Sequence, residues 1–154
     1  MRACLALLAL AGCAVAPAGR APDPPPSDPA RTEWRIHIDT KDHGIGAYTV
    51  SLQWNAEVAE IAEIVPCSPR YFKGTPEYDP ASFATGRTRI ASLDVFGSRP
   101  KSGQWHLFTV VFKRKAAGSL SATARLEKLY DDESKPFDGR LIDVDFQHVF
   151  PGTP

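Results

Sequence analysis

The sequence predicts an all-β protein, an antiparallel β-sandwich of about 120 residues. Two observations lead to this fold class. Seven segments after residue 32 contain alternating apolar and polar side chains, the period of two that places every second residue on one face of a strand. Short stretches rich in turn-forming residues separate these segments, and no long stretch has a helical period. The predicted strands are 34–39, 47–54, 60–65, 87–93, 104–115, 119–129 and 140–150.

Each of the longer segments also predicts which side chains face the core, because a strand buries alternate residues. The remaining segments, 60–65 and 87–93, are short, and Pro66 ends the first of them. The predicted inward residues are Trp34, Ile36 and Ile38; Tyr48, Val50, Leu52 and Trp54; Phe108, Val110 and Phe112; Leu120, Ala122, Ala124 and Leu126; and Ile142, Val144, Phe146, His148 and Phe150.

The composition predicts one globular domain, and the balanced charge gives no reason to expect a strongly charged partner. The chain has 154 residues, of which 43% are hydrophobic, enough for one domain with a packed core. It contains 18 basic and 18 acidic residues, so its formal net charge is zero. This balance gives no electrostatic reason to expect binding to nucleic acid or to an anionic membrane surface.

The first twelve residues have the pattern of an export signal. Arg2 supplies a positive charge, and the apolar stretch from Ala3 to Ala11 has a length typical of a signal peptide. Gly12 and Pro17 interrupt the apolar sequence that follows, which is shorter than the roughly 18–20 residues that span a bilayer as a helix. We therefore expect residues 1–12 to be a signal peptide.

The sequence Leu10-Ala11-Gly12-Cys13 follows this apolar stretch and resembles the lipobox of bacterial lipoproteins. The resemblance implies cleavage before Cys13 and attachment of lipid to its thiol, and multiple acyl chains give stable anchoring. Because Ala14 rather than Asp follows, the resemblance implies export to the cell envelope and the outer membrane of a Gram-negative bacterium. The alternative is an ordinary signal peptide that is cut later, near Ala16.

Residues 13–31 form a predicted linker between the lipid and a single domain at 32–154. Six of the 14 prolines lie between Pro17 and Pro29, a density that prevents folding and favours extended polyproline II structure. The segment is then a spacer of up to about 50 Å. A proline-rich ligand of the SH3 type is the alternative, and it does not suit an exported protein.

Motifs for catalysis and metal binding are absent from the sequence, so we expect no enzyme activity. It has no G-x-S-x-G, H-E-x-x-H, Walker-type loop or C-x-x-C. The histidines have no zinc-ligand spacing; we expect His37 to point to solvent and His106 to lie at the rim of the core. Cys67 is left without a disulfide partner and is either a small buried residue or a reactive thiol.

Two loops are candidate binding sites. The acidic residues Asp131, Asp132 and Glu133 are candidate calcium ligands, although their spacing differs from an EF-hand and a charged turn is the alternative. Calcium is the only cofactor that the sequence suggests. The loop at 70–84 is rich in aromatic residues, which anchor protein partners or stack on sugars. Its candidate ligand-binding residues are Tyr71, Phe72 and Tyr78; alternatively the loop folds back and covers the end of the sandwich.

Three segments together resemble the cohesin domain, a member of a superfamily that includes carbohydrate-binding modules. They are GAYTVSLQWNAEVAEIAEIVP, RTRIASLDVFGSRPKSGQWHLFTVVFKRK and LEKLYDDESKPFDGR. The resemblance implies a cohesin-like sandwich of the immunoglobulin-like or jelly-roll type. The chain departs from the pattern at Arg99, Pro100 and Lys101, where small residues are usual, and in the long segment 67–84.

The resemblance implies a non-catalytic binding module that engages a protein partner in scaffolding or adhesion. Carbohydrate binding, with a polysaccharide as the partner, is the alternative and requires a planar row of exposed aromatic rings. A hydrolase is the third hypothesis, for which no nucleophile or base pair is recognisable. The sequence contains no duplicated calcium loop of the dockerin type, so any dockerin partner is a separate chain.

Overall fold

A computed structural model describes residues 30–41, 43–68, 72–94 and 103–150, which form eight β-strands and one 3-10 turn. The predicted lipidation site Cys13, the proline-rich linker up to residue 29 and Tyr71 lie outside these residues. The strands are β1 (Arg31–Asp39), β2 (Ala47–Trp54), β3 (Ala59–Pro66), β4 (Arg87–Leu93), β5 (Gln104–Arg114), β6 (Gly118–Tyr130), β7 (Arg140–Ile142) and β8 (Asp145–Phe150); the 3-10 turn is Pro80–Ala84.

The strands form two four-stranded sheets that pack face to face. Sheet A has the order β3-β5-β1-β7 and sheet B the order β4-β2-β6-β8, and every pairing between these strands is antiparallel. Consecutive strands lie in opposite sheets throughout, so each connection crosses from one layer to the other. The predicted all-β fold class, an antiparallel sandwich, is confirmed.

The core lies between the sheets and contains most of the side chains that the alternation predicts. The central strands β1, β2 and β5 contribute most of its largest members because both of their neighbours shield them, and the edge strand β8 adds Phe150. The predicted inward residues that are buried are Trp34, Ile36, Ile38, Tyr48, Val50, Leu52, Trp54, Phe108, Val110, Phe112, Leu120, Ala122, Ala124 and Phe150. These residues belong to one continuous cluster.

Segment 140–150 forms two strands in opposite sheets in place of the one predicted, so the inward positions predicted for Ile142 and Val144 are wrong, whereas Phe150 is buried and Phe146 packs against the core as predicted. Asp143 lies between β7 and β8 with a left-handed φ of 55°, a conformation that interrupts a strand. The break shifts the alternation, so Leu141 is buried in place of Ile142, and Val144 is 38% exposed. The backbone carbonyl of Asp143 accepts a hydrogen bond from the Trp34 indole at 3.2 Å, which holds the crossover against β1.

A bulge in β5 changes the position predicted for His106. Ile36 pairs with Phe108 and His37 pairs with His106, so Leu107 is an extra residue in the ladder. Leu107 joins Phe108 in the core, and His106 moves to the outer face of sheet A beside His37. The expectation that His106 lies at the core rim is therefore wrong.

The first and last strands begin and end at the same end of the sandwich. Arg31 in β1 pairs with Lys113, and Phe150 in β8 pairs with Gly118. Both pairs flank the short connection between β5 and β6. Among the described residues there is no helix long and apolar enough to cross a membrane.

Candidate interaction surface

The outer face of sheet B contains an open surface depression. It forms because the polar positions of β2, β4 and β6 all point away from the core and because these three strands are neighbours. Its lining residues are Ser51, Leu52, Gln53, Arg87, Thr88, Arg89, Thr123, Ala124, Arg125, Leu126 and Glu127. We call this surface the sheet B face.

Strand register gives the sheet B face a low centre and high sides. Ser51 in β2 pairs with Arg89 in β4 on one side and with Arg125 in β6 on the other. One row along, Gln53 lies beside Arg87 in the same way. The β6 neighbour of Gln53 is Thr123, so only at Ser51 do arginines flank β2 on both sides, and there the short serine between them forms the floor of a shallow trough along β2.

A bulge in β6 brings a carboxylate onto this face. Thr49 pairs with Lys128 and Val50 pairs with Leu126, so Glu127 is the additional residue. Its Oε2 atom lies 2.8 Å from Nε of Arg89, and only 26% of the Glu127 side chain is exposed. Neither Arg87 nor Arg125 forms an ion pair with any described residue, so their guanidinium groups face solvent.

Two exposed apolar side chains lie outside the sheet B face, at opposite corners of the outer surface of sheet B. Leu93, at the end of β4, is 61% exposed, and Val149, near the end of β8, is 70% exposed. Between these corners the surface is polar: Gln147, for example, donates a hydrogen bond from Nε2 to Oγ of Ser121 at 2.9 Å. The outer surface of sheet B thus combines a basic centre with apolar contacts at its rim.

The aromatic loop at 70–84 only partly matches its prediction. Phe72 is buried, with its ring centroid 5.4 Å from that of Tyr48, so it belongs to the core and is not an exposed ligand-binding residue. Tyr78 is 36% exposed and stacks on Phe83 at 5.0 Å. Glu77 pairs with Ala91 and extends sheet B beyond β4. The loop therefore covers one end of the core through Phe72, and a binding role for Tyr78 stays a prediction.

The acidic residues at 131–133 form a hydrogen-bonded turn. Oδ1 of Asp131 accepts the backbone N–H groups of Glu133 at 2.9 Å and Lys135 at 2.8 Å. The Lys135 ammonium lies 2.7 Å from Glu133 Oε2, and this hydrogen bond raises the pKa of Lys135. Within the described parts of the chain, no group of three or more His, Cys, Asp or Glu side chains is arranged to hold a metal. These contacts fit the charged-turn alternative to calcium binding by Asp131, Asp132 and Glu133.

Cys67 lies in the core as a free thiol. Its Sγ atom is 3.6 Å from the carbonyl oxygen of Phe72, which accepts its hydrogen bond. Burial raises the pKa of the Cys67 thiol, so the reactive thiolate is disfavoured. This environment matches the buried-residue interpretation of Cys67.

A histidine pair marks the outer face of sheet A. The rings of His37 and His106 have centroids 5.3 Å apart, and Nε2 of His106 lies 2.9 Å from Oγ1 of Thr109. Burial lowers the pKa of His106, and the nearby His37 and Arg35 lower it further. Glu33 lies in the same shallow depression and forms an ion pair with Arg35 at 3.9 Å.

The sheet B face cannot be located from the sequence alone. The alternation in segments 47–54, 87–93 and 119–129 does show that each strand has a polar face. The pattern did not show that these three strands are neighbours, because their pairings join residues far apart in the chain.

No protein-family model and no curated protein matches the chain. Among solved structures, a type I cohesin–dockerin complex of Clostridium thermocellum is similar with a TM-score of 0.55 and 13% identity, over 70% of this chain and 81% of that one. CaCohA2 from Clostridium acetobutylicum is similar with a TM-score of 0.55 and 16% identity, over 68% and 72%. A non-cellulosomal cohesin from Archaeoglobus fulgidus has a TM-score of 0.54 and 18% identity, over 71% and 73%. The described residues therefore have a cohesin-like fold.

Proposed function

We propose that this chain is a non-catalytic module that binds a protein partner through the sheet B face. The observation that carries the proposal is the trough along β2, an open polar surface that no described helix, strand or loop covers. Protein interfaces have a polar rim and a small number of anchoring side chains, among which arginine is enriched. Arg87 and Arg125 project from the two sides of the trough.

The solved structures support the same class of function. Several of the similar cohesins were determined as complexes with dockerins, including the Clostridium thermocellum complex. For this chain we infer a protein partner without assigning its fold, because structural likeness at 13% identity carries the fold alone.

The structure argues against the carbohydrate alternative. A sugar-binding platform needs exposed aromatic rings in one plane. Trp34 and Trp54 are buried in the core, and Trp105 is half-buried. No aromatic side chain lines the sheet B face.

We further propose that lipid on Cys13 holds the module at the cell envelope, in the outer membrane of a Gram-negative bacterium. The support is the Leu10-Ala11-Gly12-Cys13 sequence and the proline-rich spacer after it. Since β1 begins beside the β5–β6 connection, the spacer joins one end of the sandwich. The sheet B face runs along the side of the sandwich and remains open to a partner.

Site-specific photo-cross-linking tests the docking surface. Gln53 is exposed at the centre of the face, and Gln53→p-benzoylphenylalanine places a reactive ketone there. Glu33→p-benzoylphenylalanine, on the outer face of sheet A, is the matched control. In intact cells of the source organism, we expect ultraviolet light to join a discrete protein to the Gln53 variant only. Equal cross-linking from both positions, or none from Gln53, would reject the sheet B face.

A further inference from the structure

The lining of the sheet B face has an imbalance of charge. It contains three arginines, Arg87, Arg89 and Arg125, against one glutamate, Glu127, so three positive charges less one negative charge leave two. The whole chain is neutral, with 18 basic and 18 acidic residues. The excess is a local property of the trough, and two exposed carboxylates, Glu77 beside Ala91 and Asp145 beside Thr123, lie at its outer edges.

The three arginines are close enough to act together. Arg89 and Arg125 flank Ser51, so their Cα atoms are two strand spacings apart, about 10 Å. Arg87 and Arg89 are two residues apart on one face of β4, about 7 Å. These separations do not exceed the Debye length, which is about 10 Å at 0.1 M salt. The positive charges of the three arginines therefore repel one another.

Glu127 neutralises only part of this charge. It contacts Arg89, whereas Arg87 and Arg125 have no ion-pair partner among the described residues. A guanidinium group is planar and presents paired donors that fit the two oxygens of a carboxylate. The face therefore offers two open carboxylate-binding forks on either side of a trough with hydroxyl and amide groups at its floor.

We propose that the partner of the sheet B face is a protein surface or segment that carries Asp and Glu side chains. This inference rests on the proposed docking function and adds the chemistry of the partner. Carboxylates placed over Arg87 and Arg125 relieve the repulsion within the face, while Leu93 and Val149 supply apolar contact at the corners of sheet B. Complementary charge of this kind accelerates association and makes it sensitive to salt.

An acidic polysaccharide presents carboxylates too, but the face lacks the aromatic rings on which sugars stack. Amide groups at the trough, such as that of Gln53, are suited to hydrogen bonds with peptide backbone. These features favour an acidic protein over an acidic glycan.

The test measures the affinity of the full chain, carrying Cys13→Ser to prevent acylation, for two fluorescent probes. One probe is a short oligo-glutamate peptide, and the other is an oligo-galacturonate of equal charge. The test variant combines Arg87→Glu with Arg125→Glu, both exposed and unpaired within the described residues. Its control combines Lys113→Glu with Arg140→Glu, both exposed on sheet A and unpaired within the described residues, and changes the net charge by the same amount.

We expect the oligo-glutamate to bind the parent chain and the sheet A control at about 0.05 M salt and to weaken strongly at about 0.5 M. The Arg87→Glu, Arg125→Glu variant should lose about tenfold or more in affinity. No binding at low salt, equal loss in the control variant, or tighter binding of the oligo-galacturonate would overturn the inference.

The cross-linking experiment distinguishes a wrong inference about the acidic partner from a wrong proposal about the docking surface. If Gln53 captures a protein but the arginine substitutions leave that capture unchanged, the docking face stands and the acidic partner is wrong. If Gln53 captures nothing, both proposals fail.

Discussion

At the scale of single residues, exposure separates the aromatic side chains that stabilise the fold from those available to a partner. The sequence grouped Phe72 with Tyr78 because both lie in one aromatic loop. In the structure, Phe72 packs on Tyr48 in the core, whereas Tyr78 stacks on Phe83 at the surface. Sequence position alone could not distinguish them, since the loop has no regular period that predicts which side chains point inward.

This difference predicts opposite effects of truncation. Phe72→Ala should lower the free energy of unfolding by about 3–5 kcal/mol, because it leaves a cavity beside Tyr48. Tyr78→Ala, the matched control, should cost about 1 kcal/mol or less. Urea unfolding followed by tryptophan fluorescence measures both values. Similar costs for the two variants would show that the loop does not cover the core through Phe72.

The lowered pKa of His106 predicts that stability depends on pH. An unfolded histidine takes up its proton near pH 6.5, whereas folded His106 resists protonation because of burial and the adjacent His37 and Arg35. The stabilising contribution of neutral His106 is therefore complete above about pH 6.5 and is lost as the pH falls toward its folded-state pKa. Glu33 lies in the same depression and is ion-paired with Arg35.

Thermal unfolding between pH 7.5 and about pH 5 checks this prediction. His106→Gln should reduce the loss of stability on acidification, and His148→Gln on the other sheet controls for removal of one imidazole. A parent chain and a His106→Gln variant with the same pH profile would contradict the role assigned to His106.

At the scale of structural elements, alternation predicted where the strands lie but not where they shift. Six of the predicted segments each form one strand and 140–150 forms two, because a half-buried strand has a strong period-two pattern. The bulges in β5 and β6 and the break at Asp143 alter that period locally. These irregularities place His106 outside, bring Glu127 to the sheet B face and bury Leu141 in place of Ile142.

The centre of β5 provides the test of the assigned core face. Phe112 is fully buried between the sheets, and its ring centroid lies 6.1 Å from that of Trp54. The adjacent Lys113 is exposed. Phe112→Ala should cost about 3–5 kcal/mol of unfolding free energy, and Lys113→Ala should change it by about 0.5 kcal/mol or less. Denaturant unfolding measures both, and a near-neutral Phe112→Ala would disprove the face assignment.

At the scale of the whole molecule, the alternation of strands between two sheets leaves one long polar face open. Sequence pattern predicted the sandwich, because the fold class depends on the number and spacing of strands. The face itself depends on which strands are neighbours, and β2 pairs with β6 across more than seventy residues of sequence. Such pairings have no local signal, so the candidate surface required the structure.

The proposed anchor predicts a specific mature N-terminus. Mass spectrometry of the protein from its source should find a chain that begins at Cys13 and carries acyl groups. Cys13→Ala should abolish this modification and leave the chain uncleaved or in the soluble fraction. An unmodified mature chain that begins after Ala16 would instead support the ordinary signal peptide.

The most direct test of the docking surface is the affinity of the cross-linked partner, once purified, for two bulky variants. Thr123→Trp fills the exposed side of the trough beside Gln53, and Lys113→Trp adds the same ring to the exposed surface of sheet A. Titration calorimetry should show that Thr123→Trp weakens binding by more than about tenfold, because an indole there prevents close packing on the face, whereas Lys113→Trp leaves it unchanged. Full affinity in Thr123→Trp together with a loss in Lys113→Trp would place the interface on sheet A and contradict the account.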